Sequence, residues 1–295
     1  MGVRMKLGFI THITDTHNVK TTGVWGEDLV TSALCKALCQ KDITAEVKSI
    51  KDLSKNDKYD IAIHTADLLA GVTLKAMAKH NFLWIQGFSY DRQEQVIDLD
   101  KVYKDAITKY DKVITASRIL SDRYKIPFLP PSVDMSYYKK VDANYEFDVS
   151  FIGNLIKPTS IVQRYISPFA NFKYGLFGGD FGKVDHQRGL EIICGSKINL
   201  HFGFEESIKW DMVTGRPFHI SACEGFTLMD EVPYFMELYK DAIGFTGGGT
   251  DEIRQINQYL QDDKERLKMA KDAYTITREN FSSPVIADKF IQEVM

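Results

Sequence analysis

The strongest constraint on this chain is an alternation of short apolar runs with helical segments that proceeds, breaks at Pro130-Pro131, and starts again. Before the break, residues 6–11, 45–49, 59–64, 81–86 and 112–117 read as strands, with 126–130 as a further extended stretch. Residues 27–40, 68–79 and 99–110 read as helices; in the first, Leu29, Val30, Ala33, Leu34 and Leu38 recur at helical spacing. After a polar, irregular stretch (137–146), residues 147–152, 173–177, 196–201, 226–229 and 242–245 read as strands. Gly247-Gly-Gly-Thr-Asp-Glu252 opens a long helix, and a last helix runs from about Ser283. Strands separated by helices make parallel sheets. The expected class is therefore α/β, with two Rossmann-like domains facing a cleft and ligands near the carboxyl ends of the strands.

A chain of 295 residues is long for a single core, which agrees with two domains. The expected limits are 1–138 for the first and 146–283 for the second, with a terminal helix (284–295) packing back on the first. A net charge of −3 gives no bulk attraction to nucleic acid, so none is expected as a partner. No apolar run is long enough to span a bilayer, and the first ten residues lead directly into a strand rather than a signal peptide. The four cysteines lie in apolar contexts. Cys35 and Cys39 are spaced as zinc ligands on a helix could be, but no second pair completes such a site. Buried thiols in a reducing cytoplasm are the expectation.

The segment 216–230 joins Arg216, a turn of small residues (Ser221, Ala222, Cys223), Gly225, and a short apolar strand ending at Asp230. Small side chains allow close helix packing, and Gly225 is expected to supply the positive φ that stops the helix. A basic start and an acidic end suit a polar ligand.

With residues 147–154 and 196–200 before it, this segment resembles glycosyltransferases of the GT-B fold, of the CgeB-like, group 1 type. The match rests on Arg216-Pro-Phe, Ala222-Cys223 and Gly225-Phe226, and continues through the order of motifs in residues 249–282. Two positions depart from that family: His219 stands where it has Glu, and Glu224 where it has Gly. The resemblance implies transfer of a sugar from a nucleotide-sugar donor to a glycan, lipid or other hydroxyl acceptor. It implies no metal and no cofactor beyond the donor itself, and membrane association only through the acceptor. An epimerase acting on the sugar nucleotide, and a degenerate nucleotide-binding protein, are the alternatives.

Such chemistry needs charge stabilisation at the departing phosphate and a base for the acceptor hydroxyl. Arg216 could fork onto a phosphate or pair with an acid such as Glu231. Lys197 is either a charge guarding an edge strand or a phosphate contact. Residues 247–250 could offer backbone N–H groups to an anion or form a turn with Thr250 as helix cap. Gly153 and Asn154 end a strand where the resemblance implies close approach of the donor. His219, Glu224, Gly225, Phe226 and Thr227 complete the expected donor side. The base is expected from the first half, in Asp15 or His17, with Trp25 a stacking candidate and His64 and Asp91 held in reserve.

Overall fold

The central apolar runs become strands buried on both faces, as parallel strands covered by helices must be, while edge strands such as residues 44–49 and 174–177 stay partly exposed. A computed structural model describes residues 5–11, 26–49, 52–54, 56–65, 78–86, 98–153, 162–178, 181–182, 184–203 and 205–295. The chain divides into two compact units: residues 1–132, 213–215 and 282–295 form one, and residues 133–212 and 216–281 the other.

In the first unit, β1 (Lys6–Thr11), β2 (Thr44–Ser49), β3 (Tyr59–His64), β4 (Ala78–Ile85) and β5 (Lys112–Thr115) form a parallel sheet ordered β2-β1-β3-β4-β5. Leu7, Phe9, Ile63, Trp84 and Ile114 are buried in its core. The Trp84 indole N–H donates to the Leu129 carbonyl at 3.2 Å, which satisfies its one polar atom. β4 starts at Ala78, so the end of the helix expected over 68–79 is strand; residues 66–77 lie outside those described. The helix α1 (Gly26–Cys39) packs against the terminal helix of the chain, residues 283–293. Lys41 pairs with Asp288 there at 2.6 Å, and Phe9 meets Phe290 at 6.1 Å between ring centres. Two helices flank β5. α2 (Leu99–Lys109) is capped by Asp98, and α3 (Arg118–Tyr124) by Ser117, whose Oγ accepts from the Leu120 N–H at 3.1 Å.

In the second unit, β6 (Phe147–Ile152), β7 (Tyr174–Phe177), β8 (Ser196–His201), β9 (Thr227–Asp230) and β10 (Gly244–Thr246) form a parallel sheet ordered β10-β9-β8-β6-β7. Its helices are α4 (His186–Cys194), α5 (Glu205–Lys209), α6 (Arg216–Ala222), α7 (Pro233–Tyr239), α8 (Thr250–Gln261) and α9 (Asp263–Phe281); α10 (Ser283–Glu293) returns to the first unit. The single long helix expected after residue 247 is two, because Asp262 turns out of helical geometry and its carboxylate accepts from the Glu265 N–H at 2.9 Å. Residues 133–138 belong to this unit rather than the first. Val133 donates to the Phe281 carbonyl, and the Tyr137 and Tyr138 rings stack on His186 and His219. Among the described residues, no helix is long and apolar enough to cross a membrane.

Candidate functional site

Because the strands of the second sheet all run one way, it has two chemically different edges. Gly153, Gly203, Asp230 and residues 247–249 cluster at the carboxyl edge, each just past or at the end of a strand. Asp230 is buried, and its Oδ2 accepts from the Gly203 N–H at 2.8 Å, tying β9 to β8. Tyr165 packs beside it against Phe202, 4.5 Å between ring centres. Burial pushes the Tyr165 phenol up to about 12, and the charges of Asp230, Glu231 and Glu252 act in the same direction.

Glu252 is the unusual member of this edge. It is fully buried in the first turn of α8, and neither carboxylate oxygen has a hydrogen-bond partner among the described residues. Burial, reinforced by the charge of Asp251, pushes its carboxyl up to about 9. The turn that presents it is rigid: Asp251 Oδ2 accepts from Thr246 Oγ1 at 2.9 Å and from the Gly247 N–H at 3.1 Å. The Gly248 N–H bonds Thr246 Oγ1 and the Gly249 N–H bonds the Arg164 carbonyl, so these amides are occupied and the turn is no open anion cradle. Gly249, at φ 61°, takes the cap position expected of Thr250.

Arg216 begins α6, where helix and sheet polarity bring it to the same edge. It is half-buried, forms no ion pair or hydrogen bond among the described residues, and burial lowers its pKa. An unpaired guanidinium removed from water is costly unless a ligand completes it. The alternative pairing with Glu231 is not made. Pro217 through Ala222 are buried, and Phe218 stacks on Phe281 at 4.1 Å, which fixes the helix. His219 is buried face to face with Tyr138, 3.9 Å between ring centres. Burial first, then the charges of Arg216 and His186, lower its pKa to about 3, so it is neutral at ordinary pH.

Five expected donor contacts stand elsewhere. Glu224, Gly225, Phe226 and Thr227 lie at or before the first residue of β9, and Lys197 is the second residue of β8, all toward the amino edge. Lys197 is on a central strand, not an edge one, and pairs with Asp148 of β6 at 2.9 Å. Glu224 pairs with Lys140 at 2.9 Å. The positive φ after α6 belongs to Glu224, at 54°, and not to Gly225. Gly225 answers a different need: a Cβ there would sit 3.0 Å from Asn199 Nδ2, Ile193 and Ile220. Phe226 joins the apolar core, and Thr227 is buried at the start of β9. Gly153 is at the carboxyl edge; Asn154, Asp15, His17, Trp25 and Asp91 lie outside the described residues. His64 is buried and hydrogen-bonds Asn81 at 3.2 Å. The sequence does hold one Asp-x-Asp pair, Asp98 and Asp100, and it is engaged in capping α2 and in bonds to Arg123 and Tyr124.

Sequence reasoning passed over Glu252, although a signal was present. Counting four residues on from Glu252 gives Ile256, so the acid falls on the buried stripe of an otherwise polar helix.

The profile of the glycosyl transferase-like family matches residues 141–292. No curated protein matches the chain. Several solved structures share the fold across nearly its whole length. T4 phage beta-glucosyltransferase, described as a DNA-modifying enzyme with uridine diphosphoglucose as substrate, is 18% identical with a TM-score of 0.67, covering 98% of this chain and 99% of its own. HepE of Anabaena, solved with UDP and glucose, is 13% identical with a TM-score of 0.66, covering 98% and 99%. Sucrose-phosphate synthase of Thermosynechococcus elongatus is 10% identical with a TM-score of 0.69, covering 98% of each chain.

Proposed function

Because this chain belongs to the glycosyl transferase-like family and has the GT-B fold, we propose that it transfers a sugar from a nucleotide-sugar donor to a hydroxyl acceptor. The donor would lie at the carboxyl edge of the second sheet. The observation that carries this reading is Glu252, a fully buried carboxyl with both oxygens unpartnered at the edge where α/β sheets bind ligands. Hydroxyl groups of a ribose or sugar are the donors such a carboxylate lacks. Arg216 supplies the complementary charge for a diphosphate, whose negative charge grows as the sugar departs. In this reading the guanidinium performs the charge stabilisation without a metal.

A uridine diphosphate sugar is the first donor to test, since two of the structurally similar proteins are described with uridine nucleotides. The acceptor is proposed to be a glycan, a lipid or another small hydroxyl compound. A net charge of −3 does not favour a DNA duplex, the polymer named for the phage enzyme. Asp15 or His17 would supply the base.

The test incubates the protein with a panel of nucleotide sugars, with and without glycan, lipid and hydroxyl-bearing duplex DNA acceptors, in the presence of a chelator. Nucleotide release that requires an acceptor and survives chelation is the expected result. Sugar isomerisation without any acceptor would identify an epimerase instead, and no nucleotide binding by calorimetry would refute both. Replacing Arg216 by Ala is expected to weaken nucleotide binding by roughly 10- to 100-fold, the loss of one or two charge-assisted hydrogen bonds. Unchanged affinity removes Arg216 from the site.

A further inference from the structure

The amino edge of the second sheet, opposite the proposed donor edge, holds a cavity of about 480 Å³. Two cysteines line it. Cys194 ends α4 and is half-buried; Cys223 follows α6 and is buried. The Cys194 thiol lies 3.7 Å from the Cys223 carbonyl and accepts from the Val141 N–H at 3.4 Å. Both side chains pack in one apolar cluster with Leu190, Ile193 and Ile220. Lys140, whose ammonium is held at 2.9 Å from Glu224, stands beside them.

Exposure divides the pair unequally: Cys194 is half-buried where it lines the cavity, and Cys223 is buried. The neighbouring Cys223 thiol lowers the Cys194 pKa against the opposing effect of burial, with help from the Val141 N–H and the charge of Lys140. The neighbouring Cys194 thiol and burial raise that of Cys223. A thiolate, not a thiol, is the reactive form.

We propose that Cys194 and Cys223 are a peroxide-responsive dithiol, with Cys194 the attacking thiol and Cys223 the resolving one. The Cys194 sulfur attacks one oxygen of a hydroperoxide, the O–O bond breaks, and Cys194 becomes a sulfenic acid while the other oxygen leaves as hydroxide, or as alkoxide, and takes up a proton. The Cys223 sulfur then attacks the sulfenic sulfur. The S–O bond breaks, the Cys223 proton leaves with the hydroxyl as water, and an S–S bond remains. With hydrogen peroxide the balance is two thiols oxidised and one peroxide reduced to two waters.

Cys35 and Cys39 provide an internal contrast. They are four apart on α1, where helical geometry opposes a bridge, and burial pushes the Cys35 thiol up to about 12. Cys39 is the exposed cysteine of the chain and donates to the Ala45 carbonyl at 3.2 Å. Exposure alone would make Cys39 react first.

The experiment alkylates the full-length protein with limiting iodoacetamide near neutral pH and maps the peptides by mass spectrometry. Cys194 is expected to react about tenfold faster than Cys39 despite its lesser exposure. Hydrogen peroxide should then join the Cys194 and Cys223 peptides in a bond that dithiothreitol reverses. In the Cys223→Ser variant it should leave a dimedone-reactive sulfenic acid on Cys194. Faster labelling of Cys39, or peroxide treatment of the wild-type protein that yields no linked peptide, overturns the proposal without reliance on any variant folding.

Discussion

Glu252→Gln is the substitution that most directly tests the carboxyl edge. In the folded protein burial raises the Glu252 pKa from 4.5 to about 9, while in the unfolded chain the group titrates at its ordinary value. Between those values the folded state binds more protons than the unfolded one. The stability due to this group is therefore fully present below 4.5 and is lost as pH rises toward about 9. The slope is about 1.4 kcal/mol per pH unit, so from about pH 5.5 to about pH 7.5 the wild type should lose roughly 3 kcal/mol relative to Glu252→Gln. Any constant penalty from burying the Gln amide drops out of that comparison, as do all other titrating groups. Urea unfolding of both proteins at the two pH values measures it. A second readout follows from the same cause: ligand hydroxyls donating to the carboxylate favour its ionised form, so nucleotide binding near pH 7 should release a proton, seen in calorimetry as a heat that changes with the buffer. Parallel stability of the two proteins across the range would refute the account of Glu252 as a buried acid without partners.

The remaining expectations concern α6 and its turn. His219→Phe keeps the stack on Tyr138 but removes a base whose pKa falls from 6.5 to about 3 on folding. That group's stability is present above 6.5 and lost as pH falls toward 3, so at about pH 5 the variant should escape a loss of about 2 kcal/mol that the wild type suffers, measured by unfolding at pH 5 and 7. An identical acid dependence in both would contradict it. Gly225→Ala should destabilise by about 1–3 kcal/mol, because the added methyl meets buried atoms that cannot withdraw. Asn199 Nδ2, one of them, is held by the Ile193 carbonyl at 3.1 Å. A thermal midpoint unchanged from wild type would show that α6 and β8 can separate.

The fold was legible because its central strands are buried on both faces. Residues 6–11, 59–64 and 147–152 are apolar enough, and short enough, to read as parallel strands without tertiary information. Capping chemistry was harder to read. α4 is capped by Asp185, which accepts from the Arg188 N–H at 2.8 Å, yet its polar opening merges with the preceding loop in sequence. α7 is introduced by Val232 and Pro233 without a side-chain cap, leaving only the proline as a marker.

The candidate site was less legible for a reason rooted in sheet geometry. The segment 216–230 reads as one functional motif because its residues are neighbours in sequence. β9 carries only four of them, Thr227–Asp230, but at about 3.3 Å per residue even that short strand separates its ends by roughly 10 Å. Glu224 and Gly225 therefore stand at one edge of the sheet and Asp230 at the other. Arg216 returns to the Asp230 edge only because α6 runs antiparallel to the strands. Glu252, far along the chain, shares that edge because β10 ends beside β9. Chemistry in a parallel sheet is gathered by strand polarity rather than by proximity in sequence. The same rule accounts for the nearness of Cys194 and Cys223: one ends and the other directly follows a helix that leads into a strand, so both arrive at the amino edge.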